Sequence, residues 1–254
     1  MWQIIYFSLI CTLNFFSSNS TAEDMKRETL TIMVEDAAFP WSKNDGTGYA
    51  NDVVIAAFKE MAVDVHLKVV PYARCKYTVL SGRVVACFSM SWSPEFEGRI
   101  KLASLPIYTV SNSIYENTNT PLPRPTDGFC DLPSGTIIGI SRDYEYSAQA
   151  TALKEKGVVF ESSRSDLLSL RKLASMRVSA ALITSNDSTK TIHNTEPNDT
   201  ENVQFAFNCG TTTATIGFSL AHPDGRRALD IYDMGFQRLN SSGALTKIRK
   251  RWFP

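Results

Sequence analysis

The chain is short of most residues that announce chemistry by themselves. It has three histidines, His66, His193 and His222, scattered along its length, and no two cysteines stand in a Cys-x-x-Cys spacing, so no zinc site is expected. It contains no Gly-x-Ser-x-Gly, no phosphate-cradling Gly-x-x-x-x-Gly-Lys and no His-Glu-x-x-His, which removes the sequence grounds for the commonest hydrolase, nucleotide and metalloprotease chemistries. It also lacks an excess of either charge. Lys+Arg and Asp+Glu are equal at 26 each, so neither a nucleic-acid-binding face nor an acidic tail is expected. Beyond the N-terminus no segment approaches the roughly 18 uninterrupted apolar residues of a membrane span.

What remains is an ordinary globular composition, 254 residues with 43% hydrophobic and 20% charged, enough for one large or two modest domains. Ile4 to Phe16 is an uncharged, mainly apolar run too short to span a bilayer, and Ser20-Thr21-Ala22 offers the small residues a signal peptidase needs. A cleaved secretory signal over residues 1–22 is therefore expected, with a buried N-terminal strand as the alternative. Lipid attachment at Cys11 is a minor one, because the large Ile10 precedes it. Removal of the signal leaves Cys75, Cys87, Cys130 and Cys209, an even number for which three pairings exist. Cys75 falls in the first turn of an expected helix and Cys87 near the end of the strand after it, two ends that meet, so this pair is expected and Cys130–Cys209 follows by elimination. Four buried thiols are the alternative.

Strand and helix patterns alternate. Leu30–Val34, Val63–Val70 and Val84–Phe88 read as strands, and 51–61, with Val53, Val54, Ala57, Phe58 and Met61 on one face, and 72–81 read as helices. That alternation predicts a parallel sheet covered on both sides. Four prolines between Pro121 and Pro133 break regular structure, and residues 116–133 read as a crossover between two lobes. A second α/β pattern follows: strand 136–140, helix 146–156, strand 158–161, helix 165–175 and strand 179–184. A polar loop at 187–201, a β-rich stretch at 211–220 and helices over 224–252, broken at Asn240-Ser241-Ser242-Gly243, complete the chain.

Several segments stand in an order that resembles one family. They are Phe39-Pro40-Trp41, Gly48-Tyr49-Ala50-Asn51-Asp52, Pro71-Tyr72-Ala73-Arg74, Ser89-Met90-Ser91-Trp92-Ser93-Pro94-Glu95, Leu105-Pro106-Ile107-Tyr108, Gly135-Thr136-Ile137-Ile138-Gly139-Ile140 and Asp233 to Leu245. Together they resemble the extracytoplasmic solute-binding proteins of the amino-acid type, family 3, over nearly the whole mature chain. The resemblance implies the type II periplasmic-binding fold, an α/β architecture of two lobes joined by two crossover strands with a ligand cleft between them. Lobe one would comprise residues 27–112 and 213–254, and lobe two 113–212. It implies secretion to the periplasm, a monomer, a small polar ligand and an inner-membrane ABC permease or a sensor as partner, with no cofactor, no metal and no catalysis.

Within that frame the expected ligand-binding residues are Trp41, Tyr72, Arg74, Ser89, Ser91, Ser93, Arg99, Tyr144 and Thr184. Arg74, at a helix start beside Tyr72, is expected to supply the main positive charge, since guanidinium presents a planar fork matched to carboxylate. Ser89, Ser91 and Ser93 alternate and are expected to face one side of an extended segment. Departures at Phe96, at Thr184 and at Val85, where many relatives have Asp, point away from a standard α-amino acid. Phe96 stands where an arginine usually grips the ligand carboxylate, leaving Arg99 as a displaced substitute. Thr184 stands where an acid usually takes the ammonium, and Asp143 replaces a glycine, so that Asp143 or Glu145 could supply the missing negative charge. Dehydratases in the same family make an enzyme the lesser alternative, with Glu35 or Glu145 as its acid–base group.

Overall fold

The computed structural model describes residues 28–126, 130–185 and 200–253, so the expected signal segment and most of the polar loop lie outside the described residues. Along the chain run β1 (Thr29–Glu35), the two-residue strands β2 (Ala37–Ala38) and β3 (Ser42–Lys43), α1 (Tyr49–Lys59), β4 (Asp64–Val70), α2 (Tyr72–Leu80), β5 (Ala86–Met90), β6 (Ile100–Leu102) and β7 (Tyr108–Asn117). There follow β8 (Ile137–Ser141), α3 (Ala148–Ala152), β9 (Val159–Ser163), α4 (Asp166–Ala174), β10 (Ala180–Ser185), β11 (Val203–Ser219), α5 (Gly225–Ser241) and α6 (Ala244–Trp252).

One hydrogen-bonded path, β4-β1-β5-β11-β7-β10-β8-β9, passes through both halves of the molecule, with β6 joined to β11. β1 lies parallel to β4 and β5, and β8 parallel to β9 and β10. The expected all-parallel sheet is corrected at the centre. There β11 runs antiparallel to β5, β6 and β7, and β7 antiparallel to β10. The long strands β7 and β11 therefore carry the chain between the halves, and the proline-rich stretch after Asn117 does not. Their role is hard to read in sequence because β7 buries polar residues on both faces: Ser111, Asn112, Ser113, Glu116 and Asn117 are all almost fully buried. Partners mostly distant in the chain offset their desolvation, although Asn112 Nδ2 is left without one; Asn117 Nδ2 donates to the Leu173 carbonyl at 3.2 Å, and Glu116 takes both forks of Arg124. Arg124 holds the Glu116 carboxyl down at about 2.

Each half has an apolar core on both faces of its sheet, as strands shielded from water on two sides require. In the first, α1, α5 and α6 cover one face around Val53, Phe58, Phe218 and Tyr232, while α2 covers the other around Cys75, Val79 and Phe96. In the second, Ile138, Leu153 and Leu182 lie on one face, and Leu170, Leu173 and Tyr115 on the other. Each fully buried Phe, such as Phe58 or Phe218, contributes about 1.5–3 kcal/mol by leaving water. Two glycines permit close approaches. A Cβ on Gly235 would lie 2.0 Å from the Ala57 carbonyl oxygen, so α5 packs directly on the backbone of α1. A Cβ on Gly48, whose φ is 156°, would lie 2.2 Å from the Trp41 carbonyl oxygen, and that contact folds the Trp41 loop onto the start of α1.

The helix expected over 146–156 shortens to 148–152, where the Ser147 side chain caps Ala150 N–H and the chain then passes through turns to Gly157 at φ 84°. The four described cysteines are paired. Cys75–Cys87 staples α2 to β5 with Cα atoms 5.8 Å apart, and Cys130–Cys209 staples the segment before β8 to β11 at 4.7 Å. Loop closure makes them unequal, since the separations are 12 and 79 residues. Replacing Cys130 and Cys209 by alanine is expected to cost up to about 4.5 kcal/mol, and Cys75 and Cys87 up to about 3 kcal/mol. Urea denaturation of both double variants checks the order; equal losses, or the reverse order, would contradict it.

Candidate functional site

The carboxyl ends of β1 and β5 and the start of α2 face the loop after β8 and the end of β10. Between them lies a nearly filled cleft with a cavity of about 30 Å³, enough for one or two waters. The first half contributes Glu35 at the end of β1, Trp41, Tyr72 at the start of α2, and Ser89 and Ser91 at the end of β5. Tyr108 at the start of β7, with Thr212 on β11, forms the floor. The second half contributes Tyr144, Glu145 and Thr184.

Aromatic rings set the shape. Trp41 stacks on Tyr108 with ring centroids 4.1 Å apart and planes 2° from parallel, and its far side packs into the core against Tyr49 and Phe253. Tyr72 meets Tyr144 edge-to-face across the cleft at 5.1 Å. Charge then fills it. Tyr144 Oη donates to Glu35 Oε2 at 2.5 Å, and Tyr72 Oη donates to Glu145 Oε2 at 2.5 Å. The same Glu145 oxygen accepts from the Ser91 backbone N–H at 3.1 Å, while its Oε1 pairs with Lys76 Nζ at 2.8 Å. Lys76 also holds Glu95 at 2.6 Å and donates to the Asp143 carbonyl at 3.0 Å. Every one of these bonds except that to Glu95 ties one half of the protein to the other.

The carboxylates are not equivalent. Burial raises the Glu35 carboxyl to about 8, only partly offset by hydrogen bonds from Tyr144 and Ser89. Burial also raises Glu145, but the Lys76 ammonium and its hydrogen bonds oppose the shift. Lys76 itself is pulled down by burial and pushed up further by Glu145 and Glu95, so its net shift is upward. A third acid stands behind Thr184. Asp166, in the first turn of α4, accepts from Ser141 Oγ at 2.5 Å and from the Thr184 N–H and hydroxyl, each at 2.9 Å, and burial raises it too. Among the described residues the cleft and its backing thus hold Glu35, Glu145, Asp166 and Lys76, and no arginine lines it.

Six of the nine residues singled out from sequence, Trp41, Tyr72, Ser89, Ser91, Tyr144 and Thr184, come together here. Arg74, Arg99 and Ser93 do not, and their expected placement is corrected. On α2 the inward face is Tyr72, Cys75, Lys76 and Val79, so Arg74, two residues after Tyr72, points to solvent. The same periodicity marks Lys76, one turn beyond Tyr72, as the inward cation, whereas fork geometry alone favours Arg74. Arg99 is exposed and reaches only the Leu80 carbonyl at 3.4 Å, and the position expected for a clamp arginine holds the buried Phe96. Ser93 is turned away toward Glu95, because β5 ends at Met90 and Ser89 adopts φ 68°, which breaks the expected alternation. Asp143, at the position where the family resemblance implies glycine, adopts a left-handed φ of 64°, a conformation Asp tolerates better than most residues. Tyr108 and Asp166 are not among the expected ligand-binding residues: Tyr108 closes the Leu105-Pro106-Ile107-Tyr108 segment but gives no sign of facing the cleft, and Asp166 has the pattern of an ordinary first-turn helix acid.

Residues 30–254 match the family described as bacterial extracellular solute-binding proteins, family 3. The chain belongs to that family. Family 3 proteins are extracytoplasmic and bind small polar solutes. No curated protein matches the chain in sequence. Among solved structures, a histidine kinase sensor domain with similarity to periplasmic binding proteins superposes with a TM-score of 0.72 at 18% identity, covering 89% of this chain and 97% of that one. An arginine-, lysine-, histidine-binding protein from the thermophilic bacterium Geobacillus stearothermophilus gives 0.71 at 16%, covering 89% and 95%. An ancestral amino acid-binding protein, a precursor of cyclohexadienyl dehydratase, gives 0.65 at 15%, covering 91% and 97%. At these identities the likeness establishes a shared fold, the type II periplasmic-binding architecture.

The Glu35 shift has a definite sign for stability. Its carboxyl binds a proton more tightly in the closed, folded protein than in an unfolded chain, so its contribution is complete below about pH 4.5 and is lost as pH rises through about 8. Glu145 and Asp166 act in the same direction. Stability to urea is therefore expected to fall between pH 4.5 and 8, by up to about 5 kcal/mol from Glu35 alone. Glu35→Gln, which cannot ionise, is expected to flatten that fall and to exceed the wild type at pH 8. Parallel pH profiles for the two proteins would contradict the assignment.

Proposed function

We propose that this family 3 protein captures a small polar solute carrying an ammonium group and encloses it between its lobes. The observation that carries this reading is that Glu35, a buried carboxyl at the back of the cleft, pairs with a tyrosine hydroxyl and, among the described residues, with no cation. Glu145 already has Lys76; Glu35 does not. A cation brought beside Glu35 would favour its ionised form, and the rings of Trp41, Tyr72, Tyr108 and Tyr144 would add apolar contact and cation–π attraction. A ligand carboxylate, in contrast, would find no arginine among the described residues of the cleft and would meet Glu35 and Glu145. Affinity of a similar fold for arginine, lysine and histidine supports the cationic choice.

Closure works as a population shift. A ligand touching both Glu35 on one side and Tyr144 or Thr184 on the other stabilises the closed state in proportion to the contacts that only closure makes. The closed form is then presented to an inner-membrane ABC permease or, as the likeness to a kinase sensor domain supports, to a signalling partner. Export with removal of residues 1–22 belongs to the same reading and is checked by N-terminal sequencing of the secreted protein. One observation favours turnover as a second reading: a buried carboxyl that titrates near 8 is suited to acid–base work at neutral pH.

Thermal denaturation against amines, basic amino acids and organic acids tests the reading. Amines and basic amino acids are expected to raise the midpoint, by about 2.7 kcal/mol of stability at 100 times the dissociation constant, and Glu35→Gln is expected to weaken their binding at least tenfold. Stabilisation by organic acids lacking an ammonium group, unchanged in Glu35→Gln, would overturn it. Conversion of a bound ligand to product would replace binding by catalysis in the same cleft.

A further inference from the structure

A second concave site lies on the second lobe, away from the cleft lining, where α4 passes over the strand ends of β8 and β9. It is a pocket of about 500 Å³, and its walls carry Arg142, Arg164, Arg171, Lys172 and Arg177. A chain with equal numbers of acids and bases has placed five cations around one depression. Lys172 holds Glu161 at 2.7 Å, and Arg164 reaches across to Asp36 at 2.8 Å. The nearby Asp166 is turned the other way, toward Ser141 and Thr184. Among the described residues Arg142 and Arg177 pair with no carboxylate.

Like charges gathered this closely repel one another unless a counter-charge fills the space between them. An independent feature points the same way. Ser163, at the end of β9 and 5% exposed, lines this pocket, and its hydroxyl is buried without a hydrogen-bond partner. Buried hydroxyls are rarely left unsatisfied. Guanidinium forks and a serine hydroxyl together match the tetrahedral oxygens of a phosphate-type anion, which accepts from several donors at once.

We infer that this pocket is a binding site for a multiply charged phosphate-type oxyanion, distinct from the solute cleft and independent of which solute the cleft takes. The anion sits between Arg142 and Arg177, with Ser163 donating to it. The oxyanion is either free or the headgroup of an anionic lipid, and the two sources share this chemistry. Recruitment of Arg164 by the anion would compete with its cross-lobe pair to Asp36, so occupancy here and closure of the cleft are linked, and reciprocally so.

Calorimetric titration of the full chain with pyrophosphate at low ionic strength tests the site, followed by sedimentation with phosphatidic acid vesicles. Wild type is expected to bind pyrophosphate saturably at one site, more weakly as salt is added. Arg142→Gln combined with Arg177→Gln is expected to weaken this at least tenfold, and Ser163→Ala severalfold, while circular dichroism and amine binding in the cleft are retained. Vesicle binding lost in the same double variant identifies a lipid headgroup; pyrophosphate binding without vesicle binding identifies a free ligand. No saturable binding of either probe, or binding unchanged in the double variant, overturns the proposal.

Discussion

Two carboxylates enclosed between lobes set the terms for this molecule. Glu35 and Glu145 leave water when the halves meet, and each must be neutralised or bonded where it lies. Glu145 is satisfied by Lys76, Tyr72 and the Ser91 N–H, a set drawn entirely from the opposite lobe. Glu35 is satisfied by Tyr144 and by holding a proton. The same bonds that neutralise the acids also latch the lobes, so the cleft's electrostatics and its opening are one equilibrium. A cation at Glu35 exchanges a proton for a ligand and keeps the latch closed.

The surrounding fold is built to bring these groups together. Gly48 allows the Trp41 loop to lie on α1, Trp41 stacks on Tyr108, and Tyr108 begins the strand that carries the chain into the second lobe. The positive φ of Asp143 turns the next two residues back over the cleft, so that Tyr144 and Glu145 reach opposite partners. Asp166 holds Thr184 from behind and leaves its backbone fixed at the rim. Net charge near zero conceals a strong segregation, with acids gathered in the cleft and cations on the outside of the second lobe.

Much of the fold was legible because its local signals agree with its tertiary structure. The strand at 29–35, the helix at 49–59 and the helix–strand pair stapled by Cys75 and Cys87 all follow from apolar periodicity. β7 escaped because a strand with both faces buried and polar groups satisfied by distant partners shows neither alternation nor an apolar run. The site was legible by half for a related reason. Aromatic residues beside prolines on loops after strands mark a cleft wall from sequence, and Trp41 and Tyr72 stand where that signal puts them. The identity of the inward cation depends on which helix face turns in: side-chain chemistry favours Arg74, but the spacing from Tyr72 favours Lys76. The raised carboxyl of Glu35 depends on burial by residues 109 positions away, which no local pattern carries.

Glu35 is read here as a carboxyl that holds a proton until a cation arrives. Carbon-13 NMR of side-chain carboxyls in glutamate-labelled protein, assigned with Glu35→Gln, reports it directly. Without ligand the Glu35 resonance is expected to titrate near 8, and with a saturating amine its midpoint is expected to move down toward the ordinary carboxylate range. A resonance that titrates near 4.5 without ligand, or one that the amine leaves unmoved, would contradict the account.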